Sequence, residues 1–128
     1  MLDKRKFYID GNWVDPSKNN DFNVINPSNE DTVAVISLGN IEDTNRAVLA
    51  ANNSFEQWSH TSKNVKISLL ENLLKVYKER FDEMANAISL EMGAPIDWSK
   101  NSQTSSGEDH IEDFIKTLKN FDFEVPFR

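Results

Sequence analysis

The sequence contains no cysteine in its 128 residues. It therefore has no disulfide framework, no thiolate metal site and no cysteine nucleophile. No apolar run is long enough to cross a bilayer, and the opening stretch MLDKRKFYID has no apolar signal segment. These absences predict a cytoplasmic protein with no membrane partner.

Glycine is also scarce, and the four glycines stand far apart at positions 11, 39, 93 and 107. None has the spacing of a dinucleotide-binding or P-loop motif, so the residues indicate no phosphate cradle. No serine lies in a nucleophile-elbow motif, and His60 and His110 lack a ligand motif around them. From its motifs alone the chain offers no catalytic and no cofactor-binding residue.

Basic side chains are outnumbered, with 14 Lys and Arg against 21 Asp and Glu and a net charge of −7. The single basic cluster, at positions 4–6, follows Asp3 and is typical of a solvated chain start. An acidic protein of this kind does not suit the phosphate backbone as its main partner, so we expect no nucleic-acid binding.

The first 38 residues are typical of short strands. Asp10 and Gly11 lie between two β-prone runs, which predicts a hairpin. The alternating run FNVINP stops at Pro27, which cannot donate to a ladder. A β-branched run follows from Thr32 to Leu38. Together these features predict a small antiparallel β-meander over residues 1–38.

Three helices are predicted after the meander. The first covers 40–59, with Asn40 as N-cap and Asp43 at its third position. The second, capped by Thr61 or Ser62, covers 63–92 and would be about 45 Å long. Its apolar stripe advances in steps of three and four: Ile67, Leu70, Leu74, Tyr77, Phe81, Met84 and Ile88.

The third helix covers about 95–121 and opens at Pro95. Gly107 disfavours a helix interior, and Ser105 with Glu108 resembles a capping box, which predicts a break there. The alternative is one helix with an exposed first half. The whole chain is then expected to form a single truncated domain, 1–128.

Glu91 departs from the pattern of the second helix. Simple counting places this carboxylate in line with the apolar stripe, at a helix end where the dipole disfavours negative charge. A straight helix drifts from a heptad line, however, so Met92 is the alternative inward residue. The pattern alone favours a solvated Glu91.

Several stretches in this order resemble the start of the NAD(P)-dependent aldehyde dehydrogenase superfamily. They are FYIDGNWVD, FNVINPSNEDTVAVISLGN, EDTNRAVLAANNSFEQWSH, ISLEMGAP and NFDFEVPF. No single motif is decisive, but the ordered set is specific and covers essentially the whole chain. The resemblance implies an α+β fragment: a β-meander followed by three helices, the opening part of an aldehyde dehydrogenase-like α/β cofactor-binding domain.

The resemblance also implies a cation site. Many family members hold Na⁺ or K⁺ with two backbone carbonyls before an Asn-Pro pair and a carboxylate near the glycine that ends a helix. The matching positions here are Val24, Ile25 and Glu91. A hard cation prefers oxygen ligands and would neutralise Glu91. Glutamate stands where the family often has aspartate, and a further family ligand lies beyond this sequence.

By the same resemblance, the family's catalytic cysteine, general base and nucleotide loop lie beyond the equivalent of Arg128. Full-length relatives use NAD(P) to oxidise aldehydes to carboxylic acids, whereas we expect no activity and no bound NAD(P) for these residues alone. The alternative is an independent interaction module or part of a split enzyme. If the chain is a truncated enzyme, its uncovered apolar helix faces are expected to pair with a second copy and form a homo-oligomer. If it is an interaction module, they are expected to bind another chain such as the remainder of the enzyme.

Overall fold

The computed structural model describes residues 1–124, and their contacts divide the chain into two compact units. The first comprises Met1–His60 together with Leu90–Gly93, and the second comprises Thr61–Ser89 and the residues from Ala94 onward. The end of the predicted third helix at 121 falls among the described residues, but the last part of the NFDFEVPF motif lies outside them. The expectation of one domain over 1–128 stays a prediction.

Five short strands form two sheets in the first unit. Their bounds are Leu2–Lys4 (β1), Phe7–Ile9 (β2), Asn12–Val14 (β3), Asp21–Ile25 (β4) and Thr32–Ser37 (β5). β2 and β3 pair as an antiparallel hairpin, as predicted. Asp10 and Gly11 have φ of 52° and 74°, the backbone of the two-residue turn that matches strand twist.

The three-stranded sheet has the order β1-β5-β4, and this differs from the predicted meander. β4 and β5 are antiparallel, but β1 runs parallel to β5 and the hairpin forms a separate sheet. β1 is short and exposed, so its sequence carries no pairing signal. Arg5 binds Asp3 at 2.7 Å and Asp21 at 3.1 Å, and its hydrogen bonds lower the pKa of Asp3 to about 2.

Helix α1, Ile41–Ser59, begins where predicted. The side chain of Asn40 accepts hydrogen bonds from the backbone of Glu42 and Asp43, and Asp43 accepts one from the Asn40 backbone. This reciprocal cap satisfies amide groups that the first turn leaves free. Ala34 and Val35 of β5 are the buried apolar residues of the first unit, beside the buried polar residues Asn26, Ser37 and Asp43.

The predicted helix over 63–92 is divided in two, α2 (Lys63–Glu79) and α3 (Phe81–Met92). Ser62 caps α2 by accepting from Val65 at 3.4 Å. Arg80 leaves helical geometry at φ −107° and ψ 18°, and its side chain binds Glu83 at 2.7 Å. The continuous prediction was wrong because the apolar stripe passes through the break unchanged and no proline or glycine marks it.

The helical stretch after Pro95 is continuous: α4 (Ile96–Trp98), a π-helical segment (Ser99–Thr104) and α5 (Ser105–Asn120). A break at Gly107 is therefore wrong. The alternative of one continuous helix is right, but its first half is not fully exposed, because Ser99 and Thr104 are buried. The Ser105 hydroxyl donates back to Asn101 and Ser102 carbonyls instead of capping. In a π-helix, residues five positions apart lie on nearly the same side. Ser99 and Thr104 have this spacing, and both are fully buried.

Gly107 is required by packing. The ring of Tyr77 on α2 lies over it, and the Tyr77 hydroxyl donates to the Thr104 carbonyl at 2.8 Å. Burial and the negative charge of Glu108 raise the pKa of Tyr77. The second unit buries Ala85, Ile115 and Leu118.

Polar contacts also join α2 and α5. Lys63 donates to the carbonyls of Lys119 and Phe121 at 3.2 and 3.1 Å, which places positive charge at the end of α5. On the surface, Lys78 binds Glu112 at 2.7 Å.

Candidate functional site

The end of β4 carries two of the three predicted cation ligands. Val24 and Ile25 are its last residues, and the β4–β5 register shifts between them. Such an irregularity interrupts the regular ladder and redirects backbone groups. The run FNVINP did not predict this register shift.

The turn after β4 is built on the buried residue Asn26. Its side-chain oxygen accepts from the backbone and hydroxyl of Ser28 at 2.9 and 2.8 Å, and its backbone N–H donates to Asp31 at 2.9 Å. Glu30 takes a positive φ of 63° within the same turn. These bonds fix the direction in which the chain leaves Ile25.

Gly93 brings the end of α3 against this turn. Its φ is +71°, as expected for a glycine that closes a helix. A Cβ built on it would lie 3.0 Å from the Ser28 backbone nitrogen and 3.1 Å from Cγ of Pro27. Only glycine permits both the backbone conformation and this close approach.

Glu91, the third predicted ligand, lies two residues before Gly93 and therefore belongs to the same unit as β4. Its side chain is exposed, as the helical pattern favoured, and it has no ion pair or hydrogen bond to another described residue. Met92 is half exposed, so the alternative of an inward Met92 is wrong. Within residues 1–124 no group of three or more His, Cys, Asp or Glu gathers.

Asp43 is a buried carboxylate whose long-range partner the sequence did not reveal. It accepts hydrogen bonds from the backbone of Ser17 at 2.9 Å and of Asn40 at 3.2 Å, and Arg46 lies 3.8 Å away. The Ser17 N–H is the main reason that the pKa of Asp43 lies below its ordinary range. With its oxygens occupied, Asp43 joins the loop after β3 to the start of α1.

The outer face of α1 is apolar and exposed. Ile41, Val48 and Phe55 recur every seven residues, and Leu49 and Trp58 flank them. Asp43 is the one buried residue of this helix. Within residues 1–124, no helix combines the length and apolar character that a bilayer crossing requires.

Known proteins match the chain in both sequence and structure. The model of the aldehyde dehydrogenase family matches residues 13–126. A 3-succinoylsemialdehyde-pyridine dehydrogenase from a Pseudomonas species is 42% identical over 97% of this chain and 26% of its own length. The chain thus spans about a quarter of the length of this relative.

Solved structures agree with the sequence matches. An aldehyde dehydrogenase from Bartonella henselae superposes with a TM-score of 0.95 at 49% identity, over 96% of this chain and 26% of that one. A variant of aldehyde dehydrogenase C from Pseudomonas syringae, solved with NAD⁺ and octanal, superposes with a TM-score of 0.94 at 35% identity. The superposition covers 97% of this chain and 26% of that one. Since the family model covers most of the sequence and these folds coincide, the chain belongs to the aldehyde dehydrogenase family and corresponds to its N-terminal part.

Proposed function

We propose that this chain is the N-terminal scaffold of an NAD(P)-dependent aldehyde dehydrogenase and is itself catalytically inactive. The 0.95 TM-score at 49% identity carries the proposal, because fold and sequence agree over 96% of the chain. The NAD⁺-bound relative supports NAD(P) as cofactor of the whole enzyme. The cysteine-free composition supports a cytoplasmic location.

The chemistry explains why these residues need the rest of an enzyme. Oxidation of an aldehyde and water to a carboxylate anion transfers one hydride to NAD(P)⁺ and releases two protons, while the enzyme's nucleophile is bonded to the carbonyl carbon during the hydride transfer. The 128 residues contain no thiol and no nucleotide-binding glycine motif. Their contribution is then structural.

A chimera tests the scaffold role. This chain replaces the matched segment of the Bartonella henselae enzyme, and NADH formation from a simple aldehyde is measured beside the parent enzyme. We expect activity within about tenfold of the parent and none from the 128 residues alone. A folded but inactive chimera would contradict the proposal, as would NADH formation that co-purifies with the isolated chain.

We also propose that Glu91 and the carbonyls of Val24 and Ile25 hold Na⁺ or K⁺. The donor set fits the ion: the β4 register is irregular at these carbonyls, Glu91 has no other partner in the described chain, and all ligands are oxygen. A bound cation would also offset the unfavourable position of Glu91 at a helix end.

Thermal unfolding in K⁺, with tetramethylammonium replacing it at constant ionic strength, tests this site. Ligand binding to the folded state raises Tm with concentration. We expect that rise in the wild type and in Glu56→Gln, an exposed carboxylate on α1, but not in Glu91→Gln. An equal K⁺ response in Glu91→Gln, or none in the wild type, would remove the cation from the proposal.

A further inference from the structure

Two hydroxyl groups lie fully enclosed in the second unit. Ser99 and Thr104 both have a relative exposure of 0%, and among residues 1–124 they are the largest side chains that are fully buried. Neither hydroxyl oxygen has a hydrogen-bond partner within this part of the chain. Burial without a partner is unfavourable for a hydroxyl, so buried polar groups nearly always bond to the protein or to ordered water.

Both hydroxyls leave unused a bond that helical serine and threonine often make. Such a hydroxyl can donate to a backbone carbonyl three or four residues earlier. Several in the described helices do so: Thr44, Ser54, Ser59, Ser105 and Ser106. The corresponding acceptors four residues before Ser99 and Thr104 are the carbonyls of Pro95 and Lys100, and neither bond forms. The two hydroxyls are therefore available to a group outside their own helix backbone.

The π-helical geometry explains why these two groups can act together. Ser99 and Thr104 stand at the two ends of the π-helical segment, five residues apart. This spacing is one turn of i→i+5 hydrogen bonding, so both side chains lie on nearly the same side. In an α-helix the same spacing would separate them by about 140° around the axis. The wide turn brings together two hydroxyls that ordinary helical geometry would direct apart.

Tyr77 adds a third polar atom at the same turn. Its hydroxyl donates to the backbone carbonyl of Thr104 at 2.8 Å, and its oxygen keeps lone pairs that can accept a hydrogen bond. A buried water molecule makes about three hydrogen bonds, with a range of two to four. The hydroxyls of Ser99 and Thr104 supply two partners, and the Tyr77 oxygen can supply a third.

We propose that the π-helical turn binds one structural water molecule between the hydroxyls of Ser99 and Thr104. The water accepts from one hydroxyl and donates to the other, which satisfies both groups in a place that bulk solvent does not reach. Because neither side chain has exposed surface, the site suits a molecule of water's size and leaves nothing for a side chain of another polypeptide to contact. This site goes beyond the scaffold function, since it belongs to the interior of the second unit.

A double-mutant cycle tests whether the two hydroxyls share a water. Ser99→Ala and Thr104→Val each remove one hydroxyl, and urea unfolding gives the unfolding equilibrium constant. We expect each substitution to raise this constant about fivefold, as for one lost hydrogen bond. The double variant should raise it about five- to tenfold, instead of the roughly 25-fold that independent effects would give.

Two results of the cycle would overturn the proposal. Hydroxyls that had no partner at all would be unfavourable in the interior, so their removal would leave the unfolding constant unchanged or lower it. A combined effect as large as the product of the single effects would mean that each hydroxyl bonds separately, for example to its own helix backbone.

Ser106→Ala is the matched control for Ser99→Ala. Ser106 is exposed, and its hydroxyl donates to the Ser102 carbonyl at 2.6 Å. The control makes the same chemical change in the same continuous helical stretch and carries the same gain in helix propensity. We expect no rise in its unfolding constant, and the effect of Ser99→Ala is measured relative to it.

Magnetic relaxation dispersion of water detects long-lived internal water molecules without reference to stability. We expect at least one in the wild type, one fewer in the Ser99→Ala/Thr104→Val double variant, and the wild-type number in Ser106→Ala. The same number in the wild type and the double variant would refute the water site, whatever the unfolding data show.

Discussion

Asp43 is a single carboxylate that holds together residues distant in sequence. It caps its own helix through Asn40 and also receives the Ser17 N–H from a loop 26 positions earlier. A carboxylate that accepts N–H groups from two directions is favoured in its charged form. The local part of this arrangement was predicted from the spacing of Asn40 and Asp43, whereas the Ser17 bond depends on tertiary structure that no local pattern encodes.

Asp43→Asn should weaken the first unit and reduce its acid sensitivity. The amide retains the shape but presents one acceptor in place of two, and we expect Tm at pH 7 to fall by roughly 3–6 °C, as for a lost helix cap. The folded pKa of Asp43 lies below its ordinary value of 3.8. Its contribution to stability is therefore complete above about pH 4 and is lost as the pH falls through the folded pKa.

Thermal unfolding between pH 7 and pH 2 measures this effect. The difference in Tm between wild type and Asp43→Asn should shrink below pH 4. Glu42→Gln, on the adjacent exposed residue, is the control and should follow the wild type throughout. A difference that stays constant over the whole range would show that the charge of Asp43 is unimportant.

At the scale of elements, α2 and α5 are joined at Gly107 and Tyr77. Gly107 was correctly predicted to be an unusual position, but the predicted reason, a helix break, was wrong. Glycine is needed there because the ring of Tyr77 packs against the helix. The division at Arg80 and the π-helical segment were also missed. Hydrophobic periodicity reports only which side of a helix is apolar, so it does not predict a local change in helical geometry or an aromatic ring packed against the backbone.

Gly107→Ala should destabilise the second unit although alanine is the better helix former by about 1 kcal/mol. The new Cβ would lie 2.9 Å from Cζ of Tyr77 and closer still to its hydroxyl. Overpacking of this kind costs about 1–3 kcal/mol, so we expect net destabilisation by up to about 2 kcal/mol. Urea unfolding measures it.

A double-mutant cycle shows whether the hydroxyl is the cause. Tyr77→Phe alone should cost about 1 kcal/mol through the lost bond to Thr104, and Gly107→Ala should cost less in that background. Gly39→Ala is the control, because its Cβ would meet Phe7 at an ordinary 3.4 Å. If the destabilisation by the two substitutions is additive, the strain in Gly107→Ala does not come from the Tyr77 hydroxyl.

At the scale of the whole molecule, the main observation is a large solvent-accessible surface area of 9,925 Å². The α+β class and the family were predicted because five motifs occur in order, and such an order survives where single residues change. The parallel pairing of β1 was not predicted, since three exposed residues carry no burial pattern. The sequence predicted that apolar helix faces would be uncovered, but not how large the accessible area is. Composition does not determine how much apolar surface a fold leaves exposed to water.

Unfolding should expose less new surface than is usual for this mass. The unfolded chain exposes about 21,300 Å², so unfolding adds about 11,400 Å² here against about 14,400 Å² for a compact protein. The urea m-value scales with this change and should be about one-fifth lower than for compact proteins of 14.7 kDa. An m-value at the usual level would mean that exposed apolar side chains such as Ile41, Val48 and Phe55 are covered in solution.

The π-helical segment Ser99–Thr104 has a consequence for insertions and deletions. A wide turn holds one residue more than an ordinary helical turn. Deletion of one residue here would convert the wide turn to an ordinary α-helical turn. The residues of the flanking helices would keep the same sides buried and exposed. The same loss inside Ser105–Asn120 would rotate everything after it by about 100° and turn Ile115 or Leu118 out of the interior. Length variation among homologues is therefore expected to concentrate at this turn.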